Sequence, residues 1–383
     1  MKGIVFHGKG DLRYQEDFPE PQVVNPDDVK LEVFYTGICG SDLKEYTSGP
    51  IFFPKEGESH KISGNAGPQI MGHEVSAKVV EVGSAVEGFK VGDAVVVEVT
   101  GTCNDLERFP EAPRFGEPKC EACTMGAYNA CDYLGLTGLG FSNGGLGEYM
   151  VTSYKKLIKF DNKKIPMDVA ALIQPIAVSW HAVRVSKFEP GKSALVLGGG
   201  PIGLTTIFAL KGNRAGDIVV SEPAKIRREL AEQLGVKTFD PTGKTPAECI
   251  EQLKKLSPSG TGFNFSYDCS GVPSTFEASV KTLMVRGVAT NVAIWANKNV
   301  PFDPMHVTFA EKFVTGSICF VKSDFEEVVR AFESGYIPID EVEKLITSKI
   351  HLSEGIDNGF LELINHKEKH VKILFSPKEE LLN

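Results

Sequence analysis

The stretch that most constrains the fold is "SALVLGGGPIGL" at residues 193–204, an apolar run that ends in a cluster of glycines. The glycines form a G-x-G-x-x-G pattern between a predicted strand and a predicted helix. The first glycine permits a tight turn, the second lets a pyrophosphate approach the backbone, and the third lets helix and strand pack closely. Unpaired N–H groups at the helix N-terminus then favour an anion. The sequence therefore predicts a dinucleotide site. The residues assigned to it are Gly198, Gly200, Pro201, Ile202 and Gly203.

Strands and helices alternate from this stretch to about residue 320. The predicted strands are 193–198, 217–222, 263–271, 287–294 and 312–319. The predicted helices are 201–213, 224–235, 245–256 and 273–284. Such alternation is typical of a doubly wound parallel sheet with helices on both faces. The fold class predicted for this region is therefore α/β, as a doubly wound Rossmann coenzyme domain.

The choice of cofactor depends on the second strand of this region, which ends in Glu222, 19 residues after Gly203. A carboxylate there can accept hydrogen bonds from the adenosine ribose and repels a 2′-phosphate. The sequence predicts NAD, with Arg227 also in the site. Arg227 and Arg228 follow within a turn and leave NADP open as an alternative. A second alternative is that Glu222 is only a solvated acid that caps a helix.

The first third of the chain has a different texture, with many glycines and prolines and short β-type runs. The runs at 29–38, 76–84 and 93–101 predict a folded-over β domain. The segment after residue 320 is too short to be a domain of its own, and we expect it to pack onto the β domain. With 383 residues, two domains are expected. The predicted boundaries are 1–175 with 320–383, and 176–319.

Composition restricts the partners and the compartment. The net charge of -9 argues against nucleic acids and anionic membranes as partners. No apolar run reaches the roughly 20 residues that a membrane helix needs, and the N-terminus lacks an apolar core of signal-peptide length. A soluble cytoplasmic protein is expected. The eight cysteines are therefore expected to be thiols or metal ligands rather than disulfides.

Two segments of the β domain carry candidate ligands for a catalytic metal. "GICGSD" contains Cys39 in a turn flanked by glycines, and "MGHEV" contains His73 and Glu74. One thiolate, one imidazole and one carboxylate fit a catalytic Zn²⁺ site with one open position. Each residue taken alone is equally compatible with a core or surface role. Their occurrence ahead of a dinucleotide fold favours the zinc site.

A second cysteine cluster lies in a loop-rich stretch of the same domain. Its core has the spacing C-x2-C-x7-C with a fourth cysteine upstream, which predicts a closed structural zinc site with four thiolate ligands. The alternative is a lobe of free thiols that has lost its metal. The predicted ligands are Cys103, Cys120, Cys123 and Cys131. The remaining three cysteines are assigned to packing.

Together these motifs resemble the zinc-dependent medium-chain dehydrogenases. The resemblance runs from "GICGSDL" through the cysteine lobe and "GGGPIG" to "HVKILFSP", and covers nearly the whole chain. Within that family the chain is most similar to the fungal (R,R)-2,3-butanediol dehydrogenases, on stretches such as "EYTSGPIFFPKEGESHKIS" and "FEEVVRAFESG". The resemblance implies a GroES-like catalytic domain, homodimers or homotetramers built through the coenzyme domains, and oxidation of vicinal diols or reduction of hydroxyketones such as acetoin.

The resemblance also implies roles for individual residues. Ser41 matches the hydroxyl that passes the substrate proton inward, and Glu74 belongs to the catalytic zinc set. Backbone around Val292–Ile294 and Ser317–Cys319 is expected to face the nicotinamide. Lys44 departs from the pattern, because many relatives have a histidine there that continues the proton relay. The cysteine lobe also departs, with sixteen residues between its first two ligands instead of the commoner two.

Gln174 is the third departure, in the stretch "AALIQPIAVSWHAV". The diol and polyol dehydrogenases that the chain resembles commonly have a glutamate there, which binds the zinc or its water. Pro175 suits the first turn of a helix and favours an extended conformation for Gln174. With Cys39 and Glu74 ionised, the predicted zinc site is formally neutral. The hypothesis is that Gln174 orients a zinc-bound water or ligates weakly; the alternative is a packing residue at the start of the helix.

Three other functions remain open. The first is a polyol, threonine or simple-alcohol dehydrogenase on the same fold. The second is a catalytically weakened paralogue that binds NAD without turning over an alcohol, for which Gln174 and Lys44 are the supporting features. The third is a zinc-free quinone reductase, which would have no reason to keep Cys39, His73 and Glu74 together.

Overall fold

The computed structural model describes residues 1–295, 300–366 and 368–382. The chain divides into two compact units, each formed from discontinuous segments. The first unit consists of Met1–Gln174, Val321–Glu333 and Leu345–Asn383. The second consists of Pro175–Phe320 and Ser334–Lys344. None of the helices in the described ranges is both long and apolar enough to cross a membrane.

The strands of the described residues are, in chain order, β1 (Gly3–Gly8), β2 (Asp11–Gln15), β3 (Asp28–Gly37), β4 (Gln69–Ile70), β5 (Glu74–Val82), β6 (Ala94–Val97), β7 (Thr100–Gly101), β8 (Gly135–Thr137), β9 (Gly140–Ser142), β10 (Tyr149–Ser153), β11 (Leu157–Lys159), β12 (Ala194–Leu197), β13 (Ile218–Ser221), β14 (Lys237–Phe239), β15 (Phe263–Asp268), β16 (Leu283–Asn291), β17 (Phe313–Gly316), β18 (Ile346–His351) and β19 (Lys372–Ser376).

The α-helices are α1 (Gly40–Ser48), α2 (Glu121–Thr124), α3 (Met167–Ala170), α4 (Ile173–Val185), α5 (Pro201–Gly212), α6 (Lys225–Gln233), α7 (Pro246–Leu256), α8 (Pro273–Lys281), α9 (Met305–Thr308), α10 (Lys322–Glu333), α11 (Ile339–Glu343) and α12 (Glu362–Asn365).

The first unit is built on a mixed sheet with the order β11-β6-β5-β3-β19-β18, and β10 also pairs with β3. Strand β3 is the centre of this sheet because it is almost entirely buried and pairs with three strands. The C-terminal strand β19 pairs antiparallel with β3, with Leu374 opposite Gly37. The expectation that the tail packs onto the β domain is therefore confirmed. Two small sheets, β2-β1-β4 and β7-β8-β9, complete the unit.

The second unit contains a six-stranded parallel sheet with the order β14-β13-β12-β15-β16-β17. This is the order of a doubly wound dinucleotide-binding fold, and the predicted fold class is confirmed. All four residues of β12 are buried, which is typical of a central parallel strand covered on both faces. Leu195, Val219 and Phe263 form part of the core cluster on this sheet.

The predicted elements of the second unit are present with small boundary differences. The helix predicted for 273–284 ends at Lys281, because Leu283 already begins β16. Strand β14 is absent from the predicted strands. Its three residues, a lysine, a threonine and a phenylalanine, are too few to show an alternation of apolar and polar side chains.

Residues 334–344 group with the second unit, whereas the sequence-based division placed them with the first. Two long-range contacts account for this. The Lys211 ammonium lies 2.6 Å from the Glu341 carboxylate, and Arg214 donates to the Tyr336 hydroxyl at 3.0 Å. Ile337 between them is fully buried. No local pattern indicates such partners more than a hundred residues away.

The expected extended conformation of Gln174 is wrong. Helix α4 begins at Ile173, so Gln174 and Pro175 both lie in its first turn. A proline is tolerated there because the first N–H groups of a helix have no intrahelical partner. The conformational bias of the residue before a proline is a preference, and the start of this helix overrides it.

Candidate active site

Three neighbouring strands of the first unit carry the residues of the candidate catalytic site. Cys39 follows β3, His73 directly precedes β5, and Lys372 begins β19. In the ladder between β3 and β5, Gly37 lies opposite Glu74. A side chain at position 37 would bring its Cβ within 2.1 Å of a Glu74 carboxylate oxygen, so only glycine leaves room for that carboxylate.

Cys39 is placed by the start of helix α1. It is the residue before the helix, in an extended conformation with φ -101° and ψ 155°. Its backbone N–H donates to the carboxylate of Asp42, the third residue of the helix, at 2.9 Å, which is the acceptor position of a capping box. Asp42 itself is completely buried. The turn is therefore fixed by a carboxylate whose other oxygen stays available to a second partner.

That second partner is His73, which is only 2% exposed. Its Nδ1 faces the free Asp42 oxygen at 3.2 Å, though not in hydrogen-bond alignment, and its Nε2 lies 3.3 Å from the Ser41 hydroxyl. Burial lowers the pKa of His73, but the Asp42 carboxylate reverses this effect and holds the pKa well above its usual value. A carboxylate at one ring nitrogen orients the other nitrogen towards a metal. The sequence reasoning missed Asp42, although an acid three residues after Cys39 is itself a capping signal.

Glu74 does not join Cys39 and His73 in the way the sequence suggested. Its two carboxylate oxygens lie 2.7 and 2.6 Å from the Lys372 ammonium, which also donates to the Ile38 carbonyl at 3.0 Å. Both side chains are almost fully buried. Among the described residues, the four lobe cysteines form the one group of three or more candidate ligands, so Cys39, His73 and Glu74 do not form such a group. The structure places the Cys39 thiol and the Ser41 hydroxyl at the His73 ring, and it pairs Glu74 with a lysine 298 positions away in sequence.

Gln174 is 5% exposed in the first turn of α4 and belongs to the same unit as Cys39 and His73. Its amide is uncharged, so it adds a carbonyl oxygen without a negative charge. Lys44 lies exposed on α1, three residues after Ser41.

The four lobe cysteines meet in space. The Sγ atoms of Cys103, Cys120, Cys123 and Cys131 all lie within 4.8 Å of one another. Cys131 is 3.5 Å from Cys103 and 3.7 Å from Cys120. A tetrahedral ion with Zn–S bonds of about 2.3 Å would separate its sulfurs by roughly 3.8 Å, so the thiols fit a structural zinc. The sixteen residues between Cys103 and Cys120 begin with the 3₁₀ helix Cys103–Arg108, and the long first spacing still leaves the first cysteine beside the other three.

The electrostatics of this cluster differ from one thiol to the next. Burial raises the pKa of Cys123 to about 11. Burial acts in the same direction on Cys120, but hydrogen bonds from the backbone of Asp132 and Cys123 lower its pKa to about 7. Backbone donors aimed at a sulfur favour its thiolate form, which is the form that binds a metal.

The dinucleotide motif has the expected geometry in the second unit. Gly198 has φ +100°, a conformation that favours glycine. A Cβ on Gly203 would lie 1.8 Å from the Gly198 carbonyl oxygen, so the close approach of helix and strand requires glycine. Pro201 begins α5 immediately after Gly200, and Ile202 follows in the same turn. The N–H groups of Ile202 and Gly203 lie in the first turn of α5, where a helix has donors without an intrahelical partner and favours a phosphate.

Glu222 lies beside the glycine turn and contacts its backbone at Gly199. It is 4% exposed, and its carboxylate accepts the N–H of Gly199 at 2.6 Å and that of Ala224 at 2.8 Å. Arg227 lines the same cleft, whereas Arg228 is directed at the Asp240 carboxylate at 2.7 Å. The cleft residues that sequence reasoning missed include Lys244, Cys249, Ser270, Val272 and Thr275.

The segments expected at the nicotinamide also follow parallel strands. Val292 donates its N–H to the Asp268 carbonyl at 2.9 Å, and Ile294 is half exposed. Ser317 donates to the Asn291 carbonyl at 2.9 Å. Cys319 has φ +49°, which is uncommon for a residue with a side chain.

Comparison with known proteins shows the family. Residues 25–162 match the alcohol dehydrogenase GroES-like domain, and residues 201–334 match the zinc-binding dehydrogenase domain. The chain is 49% identical to the (R,R)-butanediol dehydrogenase of Saccharomyces cerevisiae, with 98% of both chains covered. It is 46% identical to a probable (R)-acetoin-forming diacetyl reductase of the same yeast, over 98% of this chain and 90% of the relative.

A solved structure agrees with these relatives. The crystal structure of 2R,3R-butanediol dehydrogenase from Bacillus subtilis superposes with a TM-score of 0.84 at 35% identity, covering 98% of this chain and 99% of that one. The chain therefore belongs to the zinc-dependent alcohol dehydrogenase family, with a GroES-like unit and a Rossmann unit. Zinc is the metal expected for this family.

Proposed function

We propose that this enzyme oxidises small vicinal diols, and reduces the corresponding hydroxyketones, with NAD and zinc; 2,3-butanediol and acetoin are the representative pair. The observation that carries the proposal is the meeting of Cys39, Ser41 and His73 in one unit, with the dinucleotide turn in the other. The substrate class is supported by the two yeast relatives and the Bacillus structure, whose names all refer to butanediol or acetoin.

The residues proposed to hold the catalytic zinc are Cys39 and His73, with Gln174 acting directly or through a water. A bound zinc ion supplies Lewis acidity, which polarises the carbonyl or acidifies the alcohol. Glu74 was predicted as a ligand, but its ion pair with Lys372 favours a supporting role. The lobe cysteines are proposed to hold a separate structural zinc.

The protein's own groups prepare the substrate oxygen. Asp42 accepts the Cys39 N–H and faces the His73 Nδ1 at 3.2 Å, so the two candidate ligands share one neighbouring carboxylate. The Ser41 hydroxyl, 3.3 Å from His73, is the group that would take the substrate proton. Hydride transfer itself is the chemistry of the nicotinamide, and the protein contributes alignment.

The cofactor is proposed to be NAD rather than NADP. The buried Glu222 carboxylate lines the cleft beside Gly198 and Gly200, where it can accept hydrogen bonds from ribose hydroxyls. A second negative charge from a 2′-phosphate would be repelled. Arg227 in the same cleft is the feature that favours NADP, and a related zinc-binding dehydrogenase from Sinorhizobium meliloti was solved with NADP bound.

The proposal is tested by metal analysis together with initial rates on acetoin, 2,3-butanediol, sorbitol and threonine, each with both cofactors. We expect up to two zinc ions per chain and the highest kcat/KM for the butanediol pair. We also expect a preference for NAD over NADP, which Glu222→Ala should reverse.

Ser41→Ala should lower kcat, whereas the matched variant Ser48→Ala, at the exposed end of α1, should not. Turnover of sorbitol or threonine alone would contradict the substrate class, and NAD binding without turnover of any alcohol would indicate a non-catalytic paralogue.

We also propose that the chain forms a homodimer through β17. This strand lies at one end of the parallel sheet and pairs with β16. Phe313 is 61% exposed and Val314 is 42% exposed. Because adjacent strand residues point to opposite faces, β17 exposes an apolar side chain on each of its faces. An apolar edge strand of this kind is a template for pairing with another strand.

A further inference from the structure

The buried carboxylate of Asp268 lies at the end of β15 and closes the loop that follows it. The side chain is completely buried. Its Oδ1 accepts the N–H groups of Ser270 at 3.0 Å and Gly271 at 3.3 Å, and the Thr275 hydroxyl at 2.9 Å. A single carboxylate oxygen therefore organises the whole connection between β15 and α8.

This loop is interlocked with the dinucleotide turn. The Ser270 hydroxyl donates to the Leu197 carbonyl at 3.0 Å, at the end of β12. A Cβ on Gly198 would lie 2.3 Å from that hydroxyl oxygen, so the first glycine of the motif makes room for Ser270. Ser270, Val272 and Thr275 also line the cleft that contains Gly198 and Glu222. The loop is thus one wall of the cofactor cleft.

The backbone of the same residue reaches a third segment. The Asp268 carbonyl accepts the N–H groups of Val292 at 2.9 Å and Ala293 at 3.0 Å. These residues begin the segment proposed to face the nicotinamide. Within the second unit, the Asp268 side chain therefore holds the wall of the cleft, whose Ser270 contacts the phosphate turn, and its carbonyl holds the nicotinamide segment.

Burying the Asp268 carboxylate costs free energy, which a purely structural role does not explain. The second carboxylate oxygen, Oδ2, has no hydrogen-bond partner among the described residues. Burial raises the pKa of Asp268 despite its three donors. A buried polar atom without a partner costs free energy, and a serine or asparagine could bridge a loop at a lower cost. The cost is explained if the arrangement serves binding.

We propose that Asp268 is a positioning residue for the dinucleotide cofactor, which preorganises the cleft by holding three of its segments in one arrangement. The proposal rests on the proposed NAD-dependent function. Preorganisation increases affinity because ordering free energy is no longer lost on binding. A charged acceptor holds N–H and O–H donors more strongly than a neutral one, so the charge of Asp268 matters as well as its shape.

The test is Asp268→Asn, which keeps the size and the accepting oxygen but removes the charge. We expect the Kd and KM for NAD to rise about tenfold, equivalent to about 1.4 kcal/mol, with kcat at saturating NAD unchanged. Thr275→Val and Ser270→Ala each remove one hydroxyl from the network and should give smaller increases in the same direction. Asp217→Asn, at an exposed aspartate just before β13, is the matched control and should leave Kd unchanged.

Three results would decide the matter. A lower melting temperature of the cofactor-free Asp268→Asn variant with an unchanged Kd for NAD would overturn the proposal, because the residue would then only stabilise the fold. If Asp268→Asn does not fold, an unchanged Kd in both Thr275→Val and Ser270→Ala would overturn it equally. Failure of the unmodified enzyme to bind NAD would refute the proposed cofactor and this inference together, whereas weak binding by the variants alone leaves the cofactor assignment intact.

Discussion

At the scale of single residues, the Glu74–Lys372 ion pair changes the charge count of the proposed zinc site. Sequence reasoning counted Glu74 as an anionic ligand and arrived at a neutral site. In the structure the Lys372 ammonium cancels that charge, with both carboxylate oxygens within 2.7 Å of it. A Zn²⁺ ion held by the Cys39 thiolate and the neutral His73 imidazole then leaves a formal charge of about +1. Gln174 does nothing to reduce it.

Gln174→Glu should therefore make the site formally neutral, and two properties should change. Zinc loss to a chelator should slow by about tenfold, because a carboxylate adds Coulombic attraction to the ion. The inflection of the pH–rate profile for diol oxidation should move to higher pH, because a less positive site acidifies the bound alcohol less. Stopped-flow chelation and initial rates across pH measure the two effects.

Gln233→Glu adds the same charge on the exposed part of α6 and serves as the control for both measurements. If neither zinc retention nor the pH profile of Gln174→Glu differs from this control, Gln174 is only a packing residue at the start of α4.

At the scale of elements, the sequence predicts best where the pattern is local. The strands and helices of 193–320 follow from periodicity and from a glycine motif whose spacing is dictated by close backbone approach. The pairing of Glu74 with Lys372, and the docking of Ile337 in the second unit, depend on partners remote in sequence. A single sequence carries no signal for such pairs. Asp42 is intermediate, because its capping pattern is local but its contact with His73 is not.

The cysteine lobe offers a pH prediction at the same scale. His60 packs edge-on against Phe141, at 5.2 Å between ring centroids, and its Nδ1 accepts the N–H groups of Ile62 and Ser63 at 3.3 Å. Burial lowers the pKa of His60 to about 4, so the folded protein keeps the ring neutral. The unfolded chain takes up a proton near its ordinary value of about 6.5. The stabilisation by neutral His60 is complete above about pH 6.5 and is lost as the pH falls towards 4.

His60→Asn should remove this dependence, because the amide oxygen can accept the same N–H groups without titrating. Between about pH 7 and about pH 5, unmodified protein should lose roughly 2 kcal/mol more unfolding free energy than the variant. Denaturant titrations at both pH values give the difference. His7→Asn, at an exposed histidine of β1, should behave like unmodified protein. Equal pH dependence in all three proteins would exclude His60 as the source.

At the scale of the whole molecule, β17 forms one edge of the parallel sheet and exposes apolar side chains there. Natural edge strands are usually protected by charge, by proline or by a covering element. Here Phe313 and Val314 are exposed, and Phe309, just before the strand, is 84% exposed. Symmetric dimers use the same patch on both copies, and an edge strand can pair with itself antiparallel. The apolar edge is therefore better explained by a second copy of the chain than by solvent.

If the proposed dimer forms through β17, Phe313→Lys should give a monomer, because it would place a charged side chain of each copy at the proposed apolar contact. Sedimentation velocity should show the mass halved. NAD should still bind, because Phe313 begins β17, at the opposite end of the strand from Ser317, and the dinucleotide turn lies at β12. Val91→Lys, at a 61% exposed valine of the first unit, should leave the mass unchanged. A monomeric unmodified protein at micromolar concentration, or a Phe313→Lys variant of unchanged mass, would show that β17 is not the interface. The exposed apolar edge would then need a different partner.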